Sequence, residues 1–281
     1  MMDNTPLWYI NGNWLHPHEA TVSINDVAVL RGYSAFESLR TYDRRPFHLD
    51  GHLTRLYRSA ELIDLEIPWT REHITAIVQE IIARNVYKHA TIRLLVTGGE
   101  TEDSILPVGK PTLAVLISPL GERDMERFAR GIKLITTSLQ RTAPEAKTTS
   151  YVSAIRALIE AKRHHAADAL FVNEQGHVLE ATRSNFFIFR GDTLVTPRAG
   201  ILIGITRNVV LDLARGRFPI EERPILLDEL PQADEAFITS SSREIVPVVQ
   251  IDDLVIGNGK PGQRTYELEQ RFIEMIERGQ F

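Results

Sequence analysis

Cysteine is absent from the 281-residue sequence. Disulfide bonds, zinc–thiolate sites, iron–sulfur clusters and a cysteine nucleophile are therefore excluded. Chemistry at a site must come from lysine, glutamate, tyrosine, arginine or histidine side chains, or from a bound cofactor. We expect no metal site.

A surplus of basic residues is also missing, since 32 lysines and arginines face 37 acidic residues and the net charge is -5. Such a chain cannot neutralise a phosphate backbone, so nucleic-acid binding is not expected as its main function. No apolar run approaches the roughly 18 residues of a membrane span, and Met1 to Pro6 lack the pattern of a secretory signal. We expect a soluble, cytoplasmic protein that does not bind membranes.

The length and an ordinary composition, with 43% hydrophobic and 25% charged residues, predict a globular protein of two domains. The segment from Gly121 to Arg127 is strongly charged and has no apolar periodicity, which is typical of a linker. We therefore predict a small N-terminal α/β domain over residues 1–120, a linker over 121–130 and a larger C-terminal domain over 131–281.

The central candidate for catalysis is Lys147, which lies in the polar run from Arg141 to Tyr151. The run connects a predicted strand to a predicted helix, and such connections often carry functional groups. A lysine in such a loop is in most proteins only a solvated surface residue. Its assignment therefore depends on motifs elsewhere in the chain.

Two stretches downstream of Lys147 have the character of anion sites. Gly204, Ile205 and Thr206 precede a predicted helix, whose free backbone N–H groups and dipole suit a phosphate. The run from Thr239 to Ser242 places four hydroxyl residues after an apolar strand, which predicts a second cradle for an anion. No phosphate-binding Gly-x-x-x-x-Gly-Lys motif and no Gly-x-Gly-x-x-Gly motif after a strand competes with them.

The N-terminal half contains charged residues within apolar patterns. In the stretch 26–42, Phe36, Leu39 and the apolar residues beside them predict a buried strand, whereas Arg31, Glu37 and Arg40 require partners. Arg93 interrupts a second apolar strand and lies either on a solvated sheet face or in a pocket.

These residues together resemble the class IV aminotransferases, the pyridoxal-phosphate enzymes of fold type IV, over nearly the whole chain. The resemblance implies an α+β, two-domain fold like that of D-amino acid aminotransferases, with a C-terminal pseudo-barrel. It rests on motifs in the family's order: Phe36-Glu37 with Arg40, His52 with Arg55-Leu56, Pro144 with Lys147, Glu180 with Asn185, Thr196-Pro197, Leu202 with Gly204-Ile205-Thr206-Arg207, and Thr239 to Ser242 before Glu244-Ile245.

The resemblance implies that pyridoxal 5′-phosphate is the cofactor and that Lys147 holds it as a Schiff base and then moves the substrate proton. Glu180 is implied to pair with the pyridine nitrogen. The further residues implied to bind the cofactor are Arg55, Tyr151, Leu202, Ile205, Thr206, Ser240 and Ser241. In many branched-chain enzymes the family tyrosine follows the lysine by five residues, whereas Tyr151 follows Lys147 by four, so its partner stays open.

The substrate is left open between alternatives, because the residues implied to bind it fit no standard template: Arg31, Phe36, Arg93, Arg183 and Ser242. Guanidinium groups bind carboxylates well, so we expect 2-oxo acids such as 2-oxoglutarate as acceptors. A D-amino acid transaminase acting on D-alanine or D-glutamate is preferred, and an L-branched-chain aminotransferase is the main alternative. An aminodeoxychorismate lyase and a non-catalytic binding protein are further alternatives. The resemblance also implies a homodimer with active sites at the subunit interface.

Overall fold

The computed structural model describes residues 5–121 and 125–281, which form two compact units. Unit 1 comprises residues 1–122 together with 145–150, and unit 2 comprises residues 123–144 together with 151–281. Part of the predicted linker, residues 122–124, lies outside the described residues, and Met125–Arg130 form a short helix.

Within residues 5–121 and 145–150, unit 1 is built from six strands and three helices, in an α+β arrangement. The six strands form one sheet in the order β2-β1-β6-β5-β3-β4. In chain order the elements are β1 Trp8–Ile10, β2 Asn13–Leu15, α1 Val27–Arg31, β3 Ser34–Tyr42, β4 Arg45–Pro46, α2 Leu49–Glu61, α3 Arg71–Arg84, β5 Ala90–Thr97 and β6 Thr112–Pro119.

The core of unit 1 lies where one face of the sheet packs against α2 and α3. Leu39, Ile92 and Leu94 from the sheet meet Leu56 and Ile74 from the helices, and all five side chains are buried. The strands alternate, so neighbouring residues such as Phe36 and Arg93 lie on the other face of the sheet.

The strand predicted around Phe36 and Leu39 is β3, Ser34–Tyr42, and the residues before it, Val27–Arg31, form the helix α1, which was not predicted. The Asp26 side chain accepts a hydrogen bond from the Ala28 N–H and caps this helix at its start. Gly32 ends it with a φ of 70°, a left-handed conformation that glycine adopts without strain. Arg31 is therefore the last residue of a helix, outside the strand.

Unit 2 contains a closed ring of strands with helices outside it. In chain order its elements are α4 Met125–Arg130, β7 Ile132–Thr137, α5 Val152–Arg163, β8 Asp168–Val172, β9 His177–Ala181, β10 Ser184–Arg190, β11 Thr193–Thr196, α6 Ile205–Ala214, β12 Ile220–Glu222, β13 Ile225–Leu226, a 3₁₀ helix Leu227–Gln232, β14 Glu235–Ser240, β15 Glu244–Ile251, β16 Leu254–Val255 and α7 Gln263–Glu277.

The ring runs β10-β14-β15-β7-β8-β9 and closes because β9 also pairs with β10. Its interior is filled by apolar side chains such as Leu134, Leu170 and Phe186, which are buried. Small residues on α5, among them Ala154 and Ala157, let this helix pack closely against β7 and β8. A closed ring leaves no free edge among its six strands, so its ends serve as fixed platforms for loops.

Among the described residues, no helix combines the length and apolar character that a membrane crossing requires.

Candidate active site

Lys147 lies in a short extended segment of unit 1 that is held along β3. Its backbone N–H donates to Oγ of Ser59 at 3.0 Å, and its carbonyl accepts from the Phe36 N–H at 2.9 Å. Thr149 is fastened beside it, since its hydroxyl lies 2.5 Å from that of Ser34. The backbone of Lys147 is therefore fixed on both sides, which leaves only its side chain to move.

The Lys147 amine faces an aromatic ring. Its Nζ lies 4.7 Å from the centre of the Phe36 ring, within the range of a cation–π contact. The guanidinium carbon of Arg93 lies 5.4 Å from the same ring. Phe36 and Arg93 lie on the face of the sheet opposite the helices, because their β3–β5 register places them there. On this face of the sheet, unit 1 therefore places the Lys147 amine and the Arg93 guanidinium around the Phe36 ring.

Arg55 lies on α2 and forms a buried cluster with Glu37 and His52. Nε and Nη2 of Arg55 donate to the two carboxylate oxygens of Glu37 at 2.7 and 2.9 Å, and Nδ1 of His52 lies 2.7 Å from Oε2. Glu37 and His52 are fully buried. A bidentate pair of this kind fixes the direction in which Arg55 points.

The surroundings set the charge of this cluster. Burial by itself raises the pKa of Glu37, but the adjoining Arg55 and His52 outweigh it and hold the pKa well below its ordinary value. Burial lowers the pKa of His52; Glu37 opposes this shift, and the nearby cations Arg55 and Lys147 add to it. Glu37 is therefore ionised, and His52 is neutral and donates its Nδ1–H to Glu37.

Acidification is expected to destabilise the protein through His52. The pKa of folded His52 lies below its ordinary value of 6.5, so the unfolded chain binds more protons as the pH falls below 6.5. The stabilising contribution is complete above that pH and decreases by up to about 1.4 kcal/mol per pH unit below it. In His52→Gln, the thermal unfolding midpoint should depend less on pH between about pH 5 and 6.5.

The control for this experiment is His73→Gln, which replaces an exposed histidine of α3 in the same unit. It should keep the pH dependence of the unmodified protein. An unchanged slope in His52→Gln would show that this imidazole does not titrate as described.

Glu180 lies on β9 of unit 2 and is held by three groups. One carboxylate oxygen pairs with Nη1 of Arg141, and the other lies 3.2 Å from the Leu202 N–H and 3.3 Å from Nδ2 of Asn185. Glu180 and Arg141 also border a cavity of about 330 Å³, together with His177. A charged carboxylate at the wall of a ligand-sized cavity is suited to hold a cationic partner.

The start of α6 lies next to this carboxylate. Asn185 connects the two, since its Nδ2 also donates to the Leu202 carbonyl at 2.7 Å. A Cβ atom on Gly204 would lie 2.0 Å from Oδ1 of Asn185, so the close approach requires glycine. Ile205 and Thr206 begin the helix, where free N–H groups and the dipole favour an anion.

Three hydroxyl groups at this end of the ring are buried and have no hydrogen-bond partner in the part of the chain that the structure describes: Ser184, Thr206 and Thr239. Buried hydroxyls are rarely left unpaired, because burial without a partner is costly. They indicate a polar ligand at the start of α6. A phosphate group fits both the hydroxyls and the helix dipole.

The run of hydroxyl residues forms the turn between β14 and β15. Ser240 ends β14 and accepts a hydrogen bond from the Arg243 N–H at 3.3 Å, and Ser241 and Ser242 lie in the turn. Arg183 lies in the two-residue turn between β9 and β10. Because Asn185 pairs with Thr239, both turns lie at the same end of the ring.

Arg31 and Tyr151 are two further expected site residues. The Arg31 side chain is exposed and donates to the Leu30 carbonyl at 2.8 Å. Tyr151 precedes α5 in unit 2 and packs partly buried against the cluster around Ala154. Their roles stay predictions.

The comparisons with known proteins agree on one family. The profile described as "Amino-transferase class IV" matches residues 34–251. The chain belongs to the class IV aminotransferases. A protein of Methanocaldococcus jannaschii assigned only provisionally as a branched-chain-amino-acid aminotransferase is 37% identical over 95% of each chain. A D-alanine aminotransferase of Listeria monocytogenes is 32% identical over 96% of each chain.

A solved structure shows the same fold. The T.th. branched-chain amino acid aminotransferase with pyridoxamine 5′-phosphate superposes with a TM-score of 0.92 and 30% identity, over 97% of this chain and 94% of that one. The predicted α+β fold of type IV is thereby confirmed. The aminotransferase activity and the dependence on pyridoxal 5′-phosphate follow from membership of the family.

Each unit by itself carries groups that fit this cofactor. In unit 2 the start of α6 and the unpaired hydroxyls suit its phosphate, and Glu180 suits a protonated ring nitrogen. In unit 1 Lys147 offers an amine. Sequence reasoning missed Arg141, Asp168 and Arg243. Arg141 opens the polar run around Lys147, and Asp168 is an acidic residue at the start of an apolar strand, which are the signals that point to them.

Proposed function

We propose that this class IV aminotransferase moves the amino group between a D-amino acid with a small or acidic side chain, such as D-alanine or D-glutamate, and a 2-oxo acid such as 2-oxoglutarate. The observation that carries the proposal is Arg183. Its side chain is 47% exposed and makes no hydrogen bond within residues 5–121 and 125–281. It lies three residues after Glu180, in the turn between β9 and β10.

Cationic groups argue for substrates with carboxylates and against branched apolar side chains. A guanidinium binds a carboxylate through paired, charge-assisted hydrogen bonds. A branched apolar side chain placed beside Arg93 or Arg183 would bring these charges into an apolar environment, which is unfavourable. Of the two kinds of relative, the D-alanine aminotransferases are named for a D-amino acid with a small side chain, so the argument against branched side chains favours the D-amino acid over the branched-chain alternative.

Each residue set has a defined role in this proposal. When bound, pyridoxal 5′-phosphate supplies a ring that accepts the electron pair left when the substrate Cα–H bond breaks. The Lys147 amine would take the proton from the substrate Cα and deliver it to the C4′ atom of the cofactor, and would carry it in the opposite direction when the 2-oxo acid reacts. The Glu180 carboxylate favours a proton on the ring nitrogen, and Arg141 and Asn185 hold that carboxylate in place. Arg55, Ile205, Thr206, Ser240 and Ser241 are proposed to bind the phosphate, and Leu202 to contact the ring.

An L-branched-chain aminotransferase is the second candidate. It is favoured by the 37% identity to the archaeal relative and by the high structural similarity to the branched-chain enzyme. These similarities are averages over the whole chain, whereas Arg93 and Arg183 are single residues that we propose to bind the substrate.

A direct assay with purified holoenzyme separates the two candidates. With 2-oxoglutarate as acceptor, glutamate formation from D-alanine and oxoglutarate-dependent consumption of L-leucine are measured in parallel. D-Glutamate with pyruvate as acceptor gives a second D-substrate. We expect turnover of the D-substrates to exceed that of L-leucine by at least about tenfold, a margin of roughly 1.4 kcal/mol in transition-state binding. Activity confined to L-leucine would contradict the proposal. The visible absorbance of the bound cofactor reports the first half-reaction with each amino acid independently.

We also propose a homodimer. Val152, Ile155 and Ile159 form an exposed apolar stripe on α5, with spacings that place them on one face of the helix. This stripe supports association with a second copy, and light scattering should give about twice the 31.8 kDa of one chain. The monomer mass would contradict it. The cytoplasmic location stays a prediction.

A further inference from the structure

The Asp168 carboxylate has no role in the reaction described above. It is one of the most buried acidic groups among the described residues. It begins β8, and its side chain has no exposed surface. An ionised carboxylate in such a place is costly unless charges and hydrogen bonds compensate it. Its partners therefore show what it does.

Asp168 holds the turn that carries Arg183. Oδ1 accepts from the Thr182 hydroxyl and, at 3.3 Å, from the Thr182 N–H. Thr182 is the residue directly before Arg183 in the two-residue turn between β9 and β10. With both its backbone and its side chain tied to a fully buried group, Thr182 fixes the direction in which Arg183 leaves the turn.

The second oxygen of Asp168 is occupied by Arg243. Nη1 of Arg243 donates to Oδ2 at 2.9 Å, and the Arg243 side chain is only 17% exposed. Nη2 of Arg183 approaches the same oxygen, but at 3.9 Å, which is beyond hydrogen-bond distance. Arg183 is thus attracted toward Asp168 without using its N–H donors on it. If Arg243 did not occupy this oxygen, Arg183 could close onto Asp168 as a paired salt bridge.

We propose that Asp168 and Arg243 are positioning residues that hold Arg183 as the binding group for a substrate carboxylate. Arg243 keeps Asp168 from neutralising Arg183, and Asp168 keeps Arg183 oriented. The ligand chemistry is that of a carboxylate on an amino acid or 2-oxo acid, which matches the planar guanidinium fork. This inference rests on the proposed function, because it assumes that Arg183 faces the substrate.

The test measures binding of glutarate and butanoate to the holoenzyme by calorimetry. Both compounds lack amino and oxo groups and are achiral, so the result is independent of the hand of the amino acid and of turnover. Asp168→Asn, Arg243→Gln and Arg183→Gln should each weaken glutarate binding by roughly 10- to 100-fold, the effect of losing a hydrogen bond to a charged group. Arg243→Lys keeps the charge and should stay within about threefold.

A double variant separates positioning from general damage. If Asp168 acts through Arg183, adding Asp168→Asn to Arg183→Gln should weaken glutarate binding no further. If Asp168 had only a structural role, Asp168→Asn would lower the unfolding midpoint. It would also weaken glutarate binding equally in the unmodified protein and in Arg183→Gln. Arg217→Gln is the matched control, because it removes another arginine of unit 2 from an ion pair, with Glu267, and should leave binding unchanged.

The outcomes are distinct. Loss of both glutarate and butanoate binding supports a role at the carboxylate next to Cα, and loss of glutarate binding alone supports a role at the distal carboxylate. Unchanged binding in Arg183→Gln, or loss in Arg183→Gln with none in Asp168→Asn and Arg243→Gln, overturns the inference. If the enzyme binds glutarate as expected but turns over only L-leucine, the proposed D-specificity fails while the positioning role stands.

Discussion

The Lys147→Ala variant is expected to lose at least about 10⁴-fold in kcat/KM for transamination, because one amine serves as both covalent anchor and proton carrier. The aromatic ring that faces the Lys147 amine, that of Phe36, cannot take over this proton transfer. Steady-state kinetics with the preferred amino acid and 2-oxoglutarate measures the loss.

Two comparisons make the Lys147 result specific. Lys162→Ala removes a lysine from the last turn of α5 and should keep activity within about twofold and the same unfolding midpoint. Addition of a small primary amine such as ethylamine should restore part of the lost rate in Lys147→Ala, because the amine replaces the proton carrier. A Lys147→Ala enzyme that retains activity within tenfold of the parent would refute the assignment.

Glu180→Gln is expected to lower kcat by about 10²- to 10³-fold, the range typical of removing one preorganised electrostatic partner. Glutamine keeps the size and an oxygen for the Leu202 N–H and the Asn185 amide, but it removes the negative charge. The substitution therefore makes protonation of the ring nitrogen much less favourable, whereas it has only a small effect on binding of the cofactor. The dissociation constant of pyridoxal 5′-phosphate should change by less than about tenfold, that is by under about 1.4 kcal/mol.

The contrast between kcat and cofactor affinity is the decisive measurement for Glu180. Glu174→Gln, in the turn between β8 and β9 close to the same strand, removes an exposed carboxylate and should change neither quantity. Equal losses of rate and cofactor affinity in Glu180→Gln would indicate that Glu180 only shapes the site. Such a result would also point to the half-buried Arg141, which loses this anionic partner in the variant.

The sequence allowed the fold family to be predicted because its motifs are local and ordered. Lys147, Glu180 and Gly204 each stand in a short pattern with a recognisable chemical purpose, and the residues around them follow at fixed spacing. The helix α1 was not predicted, although Asp26 and Gly32, which flank it, are residue types common at the two ends of helices.

The partners of the site could not be predicted, because they meet across long stretches of chain. Arg141 and Glu180 are 39 residues apart, and Arg243 and Asp168 are 75 apart. Only the strand register brings such residues together, and periodicity does not specify which strands pair. The sequence left open whether Arg93 lies on a solvated sheet face or in a pocket. The pairing of β5 with β3 shows that it lies on the same face as Phe36.

The division of the chain has a consequence for biosynthesis. Unit 1 is not continuous in sequence, because residues 145–150 complete it after the chain has entered unit 2. During translation the first 122 residues can form the sheet and its helices. The hydrogen bonds of Ser34 with Thr149 and of Phe36 with Lys147 can form only after residues 147–149 have emerged from the ribosome. The nascent N-terminal unit therefore stays incomplete until Lys147 has been synthesised, so a fragment cut at the unit boundary would contain the strand that holds the backbone of Lys147 without Lys147 itself.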